Sequence, residues 1–157
     1  VKKGDLFFIE AGTVHAIGKG ALIAEIQQNS NCTYRVYDYG RVGKDGKPRE
    51  LHIDKAVDVS NTIPPKYDIK PMGGEIESNG NISQLLTKCD LFTVDRYQIT
   101  NGIALTADAD SFNHILVTDG NGEIDGKPAK KGDSYFVPAG YGDYTVKGDI
   151  EIIVTRV

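Results

Sequence analysis

Tryptophan is absent, methionine occurs once, and cysteine occurs only at Cys32 and Cys89. Two thiols so far apart in sequence form neither a disulfide framework nor a close metal-binding pair, so they are expected as free thiols in a reducing, cytoplasmic compartment. No stretch approaches the ~20 apolar residues that cross a bilayer, and no charged start precedes an apolar centre as in a signal peptide; a membrane role is excluded. Positive charge is also short. Lysine and arginine total 18 against 22 aspartates and glutamates, a net charge of -4 with a pI near 5.3. Nucleic-acid binding needs a clustered cationic surface that releases counterions, so no nucleic-acid partner is expected. What is abundant is glycine, 18 in 157 residues. With no long helical patterns, that abundance points to many tight turns and an all-β fold. The length suffices for one compact domain plus a half-domain.

The strongest internal feature is a repeat. KKGDLFFIEAGTVH, from Lys2 to His15, aligns without a gap on KKGDSYFVPAGYGD, from Lys130 to Asp143, and half of the aligned positions are identical. One large offset means two related units rather than a solenoid. Each copy reads as a turn at Lys-Lys-Gly-Asp, a short strand (Leu6 to Ile9, Ser134 to Val137), and a second turn at Ala-Gly. After the first copy, residues 21–28 and 33–39 are strand-like, with Gly18 and Gly20 as a hairpin connection. Leu51 to Val59 reads as a short helix. Residues 63–90, with Pro64, Pro65, Pro71 and Gly73-Gly74, read as a crossing segment between a partial unit at 1–62 and a second β unit at 91–157. The later runs LFTVDRYQI, FNHILVTDG and IEIIVTRV suit a compact antiparallel barrel or sandwich. Val1 falls inside a turn, which is the expectation for a segment of a longer protein.

Each copy also matches most of a spacing in which glycine, five residues, proline, any residue, glycine and two residues lead to histidine. The first runs Gly4, Glu10 in place of proline, Gly12 and His15; the second runs Gly132, Pro138, Gly140 and Asp143 in place of histidine. The spacing resembles the second motif of the cupin superfamily, whose double-sheet jelly-roll barrels hold a metal. A glycine turn lets the chain deliver an imidazole to a divalent ion. On spacing alone, His15 is either such a ligand or a histidine in a surface turn.

The run GTVHAIGKGALIAEIQQNSNCTYRVYDYGR, followed by GKPRELHIDKAVDV, closely resembles the type I mannose-6-phosphate isomerases of the short bacterial form, and a weaker likeness extends to the C-terminus. The resemblance implies a cupin-like jelly roll in which a partial catalytic unit precedes a second cupin-like unit, with the short helix between. It implies zinc, one per complete site, with His15 as a ligand, and Arg35 as the catalytic residue facing a small sugar-phosphate substrate. Exchange of mannose 6-phosphate with fructose 6-phosphate moves a proton between C1 and C2 through a cis-enediol, and a permanently charged guanidinium stabilises the charge that develops on two adjacent oxygens. Arg35 would share a strand face with Thr33, Tyr37 and Tyr39; the alternative is a solvent-facing arginine paired with Asp38 or Glu50. Glu25 either orients His15 or a substrate hydroxyl, or points outward. His52 reads as structural, and His114 is left outside the site. Lys2, Lys3, Arg41, Lys44 and Lys47 either hold the phosphate or are solvated loop charges.

The family's other ligands, a glutamine-x-histidine pair and a glutamate, have no counterpart in these residues. The chain alone is therefore expected to bind zinc weakly, to be inactive, and to form a dimer or exchange strands through its exposed half-barrel. The alternatives are a non-catalytic cupin-like sugar-binding or assembly module, and an iron-dependent cupin oxygenase, which the TYRVYDYGR run disfavours.

Overall fold

The computed structural model describes residues 1–157 and divides into two compact units, Val1–Asp68 and Ile69–Val157. The second unit is wholly β. Its strands are β1 (Ile76–Ser78), β2 (Asn81–Lys88), β3 (Thr93–Ile99), β4 (Ile103–Ala107), β5 (Asn113–Ile124), β6 (Lys127–Lys130), β7 (Ser134–Val137) and β8 (Gly142–Arg156). All pairings are antiparallel, in the order β1-β2-β3-β8-β5-β6, with β4 also on β8 and β7 also on β5. The long strands β5 and β8 thus serve two sets of partners. The N-terminal part of β8 meets β4 and its C-terminal part meets β3, while β5 meets β7 and then β6.

Strand periodicity explains the core. In β8 the side chains of Tyr144, Val146, Ile150, Ile152 and Val154 are buried, every second residue as a pleated strand requires. In β5 the parity changes: Asn113, Ile115 and Val117 point inward, and then Ile124 does. A register shift between Val117 and Asp119 against β8 accounts for the change, since one extra residue exchanges the two faces. Ile99, Ala107, Ala129 and Val137 complete the cluster. Each large aliphatic side chain removed from water contributes about 1.5–3 kcal/mol. Where β5 and β8 approach most closely, Gly122 pairs with Gly148. A Cβ on Gly122 would lie 2.0 Å from the Lys147 carbonyl oxygen, and Gly148, at φ +113°, would place one 2.5 Å from Gly122 Cα. Only glycine fits either position.

Two sequence expectations change here. Within residues 63–90, β1 and β2 pair with each other and β2 with β3, and Leu86 is buried. The prolines and glycines that suggest a crossing all precede Asn81, Gly80 being the last of them, and the residues beyond it form β2. In the first unit the expected strands at Leu6–Ile9, 21–28 and 33–39 do not form. Its regular elements are α1 (Ile53–Val59) and a single bridge between Val42 and Pro48. A strand exists only through ladder bonds, and these β-prone runs meet no partner strand. The short helix forms as expected. Asp54 in its first turn complements the helix dipole, and the Ser60 amide and hydroxyl both donate to the Ala56 carbonyl at its end.

Candidate functional site

The sequence repeat survives as a repeat of turns. The Asp5 amide donates to the Lys2 carbonyl (3.2 Å) and the Lys2 amide to Asp5 Oδ2 (2.9 Å). In the second copy Asp133 and Lys130 make the same two bonds, at 2.9 and 3.0 Å. Gly4 and Gly132 share φ +91°. The second turns match too, with Thr13 donating to Glu10 and Tyr141 to Pro138.

His15 follows the first of these second turns. The loop is fixed at Gly12, whose carbonyl accepts from the Asn61 amide (2.8 Å) and whose α-carbon faces the C-terminal end of α1 so closely that a Cβ would meet the Val59 carbonyl at 2.6 Å. The exposed ring of His15 places Nδ1 2.8 Å from the Thr13 carbonyl. A carbonyl can only accept, so Nδ1 is the donor here and Nε2 is the ring nitrogen left for any other group. The Thr13 carbonyl, not Glu25, occupies Nδ1. Glu25 lies in an exposed, irregular segment. No group of three or more histidine, cysteine, aspartate or glutamate side chains converges anywhere in the chain. These residues do not by themselves make a complete metal site.

Arg35 is held from several directions. Its amide donates to His52 Nδ1 (3.2 Å), its carbonyl accepts from the His52 amide (2.7 Å), and its Nη1 donates to the Glu50 carbonyl (3.1 Å). Its Nε lies 3.9 Å from Asp38 Oδ1. The Asp38 side chain is only 8% exposed. Arg49 grips both its oxygens, Nε donating to Oδ2 (2.6 Å) and Nη2 to Oδ1, while Arg41 Nε approaches Oδ1 at 3.4 Å. The Arg49 hydrogen bonds hold the Asp38 carboxyl below its ordinary range against the opposing effect of burial, and the charges of Arg49, Arg41 and Arg35 add to the lowering. The Asp38 hydrogen bond in turn holds Arg49 more firmly protonated than usual.

No hydrogen bond or ion pair joins His15, Glu25 and Arg35. Arg35 pairs with Asp38 and with the backbone of Glu50, the very partners that strand parity offered as its alternative. The residue that sequence reasoning set aside is His52, which cradles the Arg35 backbone. Its signal is the pairing of two segments, TYRVYD and RELH, that no local pattern reveals. In the second unit Asp143 accepts from the Thr106 hydroxyl (2.6 Å), and His114 Nε2 lies 2.7 Å from the Ser134 hydroxyl on the solvent side.

The second unit, a glycine-rich antiparallel eight-stranded sheet around one apolar core, has a cupin-like fold. A family described as the cupin domain of mannose-6-phosphate isomerase matches residues 81–157. Nearly the whole chain is similar to mannose-6-phosphate isomerases: it is 39% identical to the Bacillus subtilis enzyme ManA over 99% of this chain and 50% of that protein. It is 35% identical to the Streptococcus mutans enzyme over 99% of this chain and 49% of that one. The crystal structure of the mannose 6-phosphate isomerase from Bacillus subtilis superposes with a TM-score of 0.70 and 34% identity, covering 83% of this chain and 42% of its own. The chain spans about half the length of the curated relatives it matches. No helix is long and apolar enough to cross a membrane.

Proposed function

We propose that this chain is part of a metal-dependent aldose–ketose isomerase that interconverts mannose 6-phosphate and fructose 6-phosphate through a cis-enediol. The observation that carries this is the similarity to mannose-6-phosphate isomerases along nearly the entire chain. The same relatives leave the non-catalytic sugar-binding module unfavoured.

In this account Arg35 is the catalytic residue. Proton transfer between C1 and C2 puts negative charge on O1 and O2, and a guanidinium held by the Glu50 carbonyl and Asp38, on a backbone held by His52, stabilises that charge without reorganising. Holding the cation in place before the reaction is what makes it more effective than a mobile arginine in water. His15 contributes Nε2 to a zinc ion, the remaining ligands coming from outside these 157 residues. Zinc, when bound, would supply Lewis-acid stabilisation of developing negative charge; the role assigned to this chain is that of Arg35. Glu25 is left with the contact to a substrate hydroxyl, since Thr13 already orients His15. The free thiols of Cys32 and Cys89 accord with a cytoplasmic location.

The isolated chain is inactive on this account and self-associates. Val14, Ile17 and Leu22 are exposed, Leu22 to 92%, and the unpaired backbone around them offers edges to a second copy. Light scattering tests this directly: a stable monomer at micromolar concentration overturns the dimer. A coupled mannose-6-phosphate isomerase assay, run on the 157 residues and on a chain extended to the relatives' length, tests the function. Activity confined to the extended, zinc-supplied protein supports it, and inactivity of both overturns it.

A further inference from the structure

We propose that Arg41, beside Arg35 on the same buried carboxylate, forms the site that binds the phosphate of the sugar substrate. The proposal rests on the isomerase reading for the identity of the sugar, but the anion site stands on its own geometry. Three guanidinium groups converge on Asp38, and one of them satisfies it: Arg49 donates to both carboxylate oxygens. Arg35 and Arg41 are additional, so the cluster keeps two positive charges more than it offsets.

The surrounding segment has the same excess. Between residues 35 and 50 stand Arg35, Arg41, Lys44, Lys47 and Arg49 against Asp38, Asp45 and Glu50, in a chain whose net charge is -4. The excess opens toward solvent at Arg41, whose side chain is 64% exposed against 22% for Arg35. Arg41 meets Asp38 through Nε, which leaves its terminal nitrogens unclaimed by that carboxylate. A guanidinium fork suits phosphate oxygens.

The backbone holds Arg41 in this position by an unfavourable turn. Tyr39 adopts φ +54° and Gly40 φ +66°, and the Arg41 amide donates to the Asp38 carbonyl (2.9 Å). Left-handed backbone is uncommon for a tyrosine, and such conformations persist where the surroundings require them. The Tyr39 ring then lies beneath the Arg41 guanidinium, 5.7 Å from its centroid. A loop staple alone would need only Arg49.

The geometry also suits a single ligand. Nε of Arg35 and Nε of Arg41 lie 3.9 and 3.4 Å from the same oxygen, so their separation cannot exceed the sum of those distances. A hexose 6-phosphate carries its anion at the far end of the carbon chain from the reacting carbons. With Arg35 assigned to C1 and C2, Arg41 is the more exposed cation on the same carboxylate and the one left for the phosphate.

The test uses the metal-loaded isomerase at the relatives' full length, comparing the unaltered protein with Arg41→Gln, Arg41→Lys and, as a control, Lys127→Gln in the second unit. Inorganic phosphate is the calorimetric probe, and mannose 6-phosphate is the substrate in the coupled assay. Arg41→Gln should weaken phosphate binding and raise KM by roughly 10- to 100-fold, with kcat changed by less than about threefold. Arg41→Lys should recover part of the loss, and Lys127→Gln should change nothing. Turnover with KM and phosphate affinity unaffected by Arg41→Gln overturns the phosphate site and leaves the isomerase. Phosphate binding that depends on Arg41 without turnover keeps the anion site and removes the isomerase. Absence of phosphate binding overturns the site whatever the turnover.

Discussion

The Arg35 amide donates to His52 Nδ1 while the His52 amide donates to the Arg35 carbonyl, a reciprocal pair that joins two segments 17 residues apart. The pair aligns the backbone beneath the Arg35 side chain and ends at the residue that starts α1. His52→Ala leaves a partly buried amide without its acceptor and should destabilise the first unit by about 1–3 kcal/mol. His52→Asn, whose amide oxygen can take the place of Nδ1, should recover most of this. Hydrogen exchange at the Arg35 amide is the readout, faster in the alanine variant and near its original rate in the asparagine one.

Asp38 sets an acid limit for the same unit. Its carboxyl is held below the ordinary value of 3.8, chiefly by the Arg49 hydrogen bonds. A depressed folded-state pKa means that the ionised group stabilises the fold above the unfolded value, and that this contribution is lost as pH falls from 3.8 through the lower folded value. Asp38→Asn should therefore flatten the dependence of stability on pH below about 4 while lowering stability at neutral pH. Denaturant titrations at pH 7 and pH 3 compare the two proteins.

How much of this was legible in sequence depended on where the partner groups lie. The two Lys-Lys-Gly-Asp turns were readable because their bonds close within four residues, and both copies make them. The strands that follow were equally readable by pattern, yet Ser134–Val137 is β7 because β5 lies beside it, whereas Leu6–Ile9 meets no strand. β-propensity marks a surface that fits a sheet, and pairing decides the outcome. The helix at Ile53–Val59 was readable for the converse reason, since its bonds are internal. Arg35 and His15 came from resemblance to a family. The convergence of Arg41 and Arg49 on Asp38 could not be read, because a buried ion pair between residues 11 apart is a product of the folded loop.

The second unit should respond like a close-packed core. Ile152, fully buried in β8, should lose about 2–5 kcal/mol on replacement by alanine. Tyr144→Phe removes the hydroxyl that accepts from Asn113 Nδ2 (3.0 Å) and should lose about 1 kcal/mol, because that nitrogen also donates to the Thr106 carbonyl (2.9 Å). Urea unfolding should show lower midpoints with unchanged slopes.

Gly122 tests the crossing of the long strands. A methyl group there would collide with the Lys147 carbonyl, and backbone cannot yield as a flexible side chain does. Gly122→Ala should destabilise by about 1–3 kcal/mol or more. A variant as stable as the original contradicts the close approach.

Zinc should bind the 157 residues through His15 Nε2 with a dissociation constant of roughly millimolar, as a single imidazole supplies only a few kcal/mol. His15→Ala should abolish that binding in calorimetry, and His15→Ala in a chain of the relatives' length should lower its zinc content. Tight stoichiometric zinc on a monomer of this chain contradicts the assignment of one ligand.

The most direct measurement is the coupled isomerase assay on the zinc-supplied chain at the relatives' length, with and without Arg35→Gln. Removing a preorganised cation from the developing enediolate should lower kcat by about 100- to 1,000-fold while the variant remains folded. An unchanged kcat in a folded, zinc-loaded Arg35→Gln protein would contradict the central claim that this arginine stabilises the charge of the enediolate.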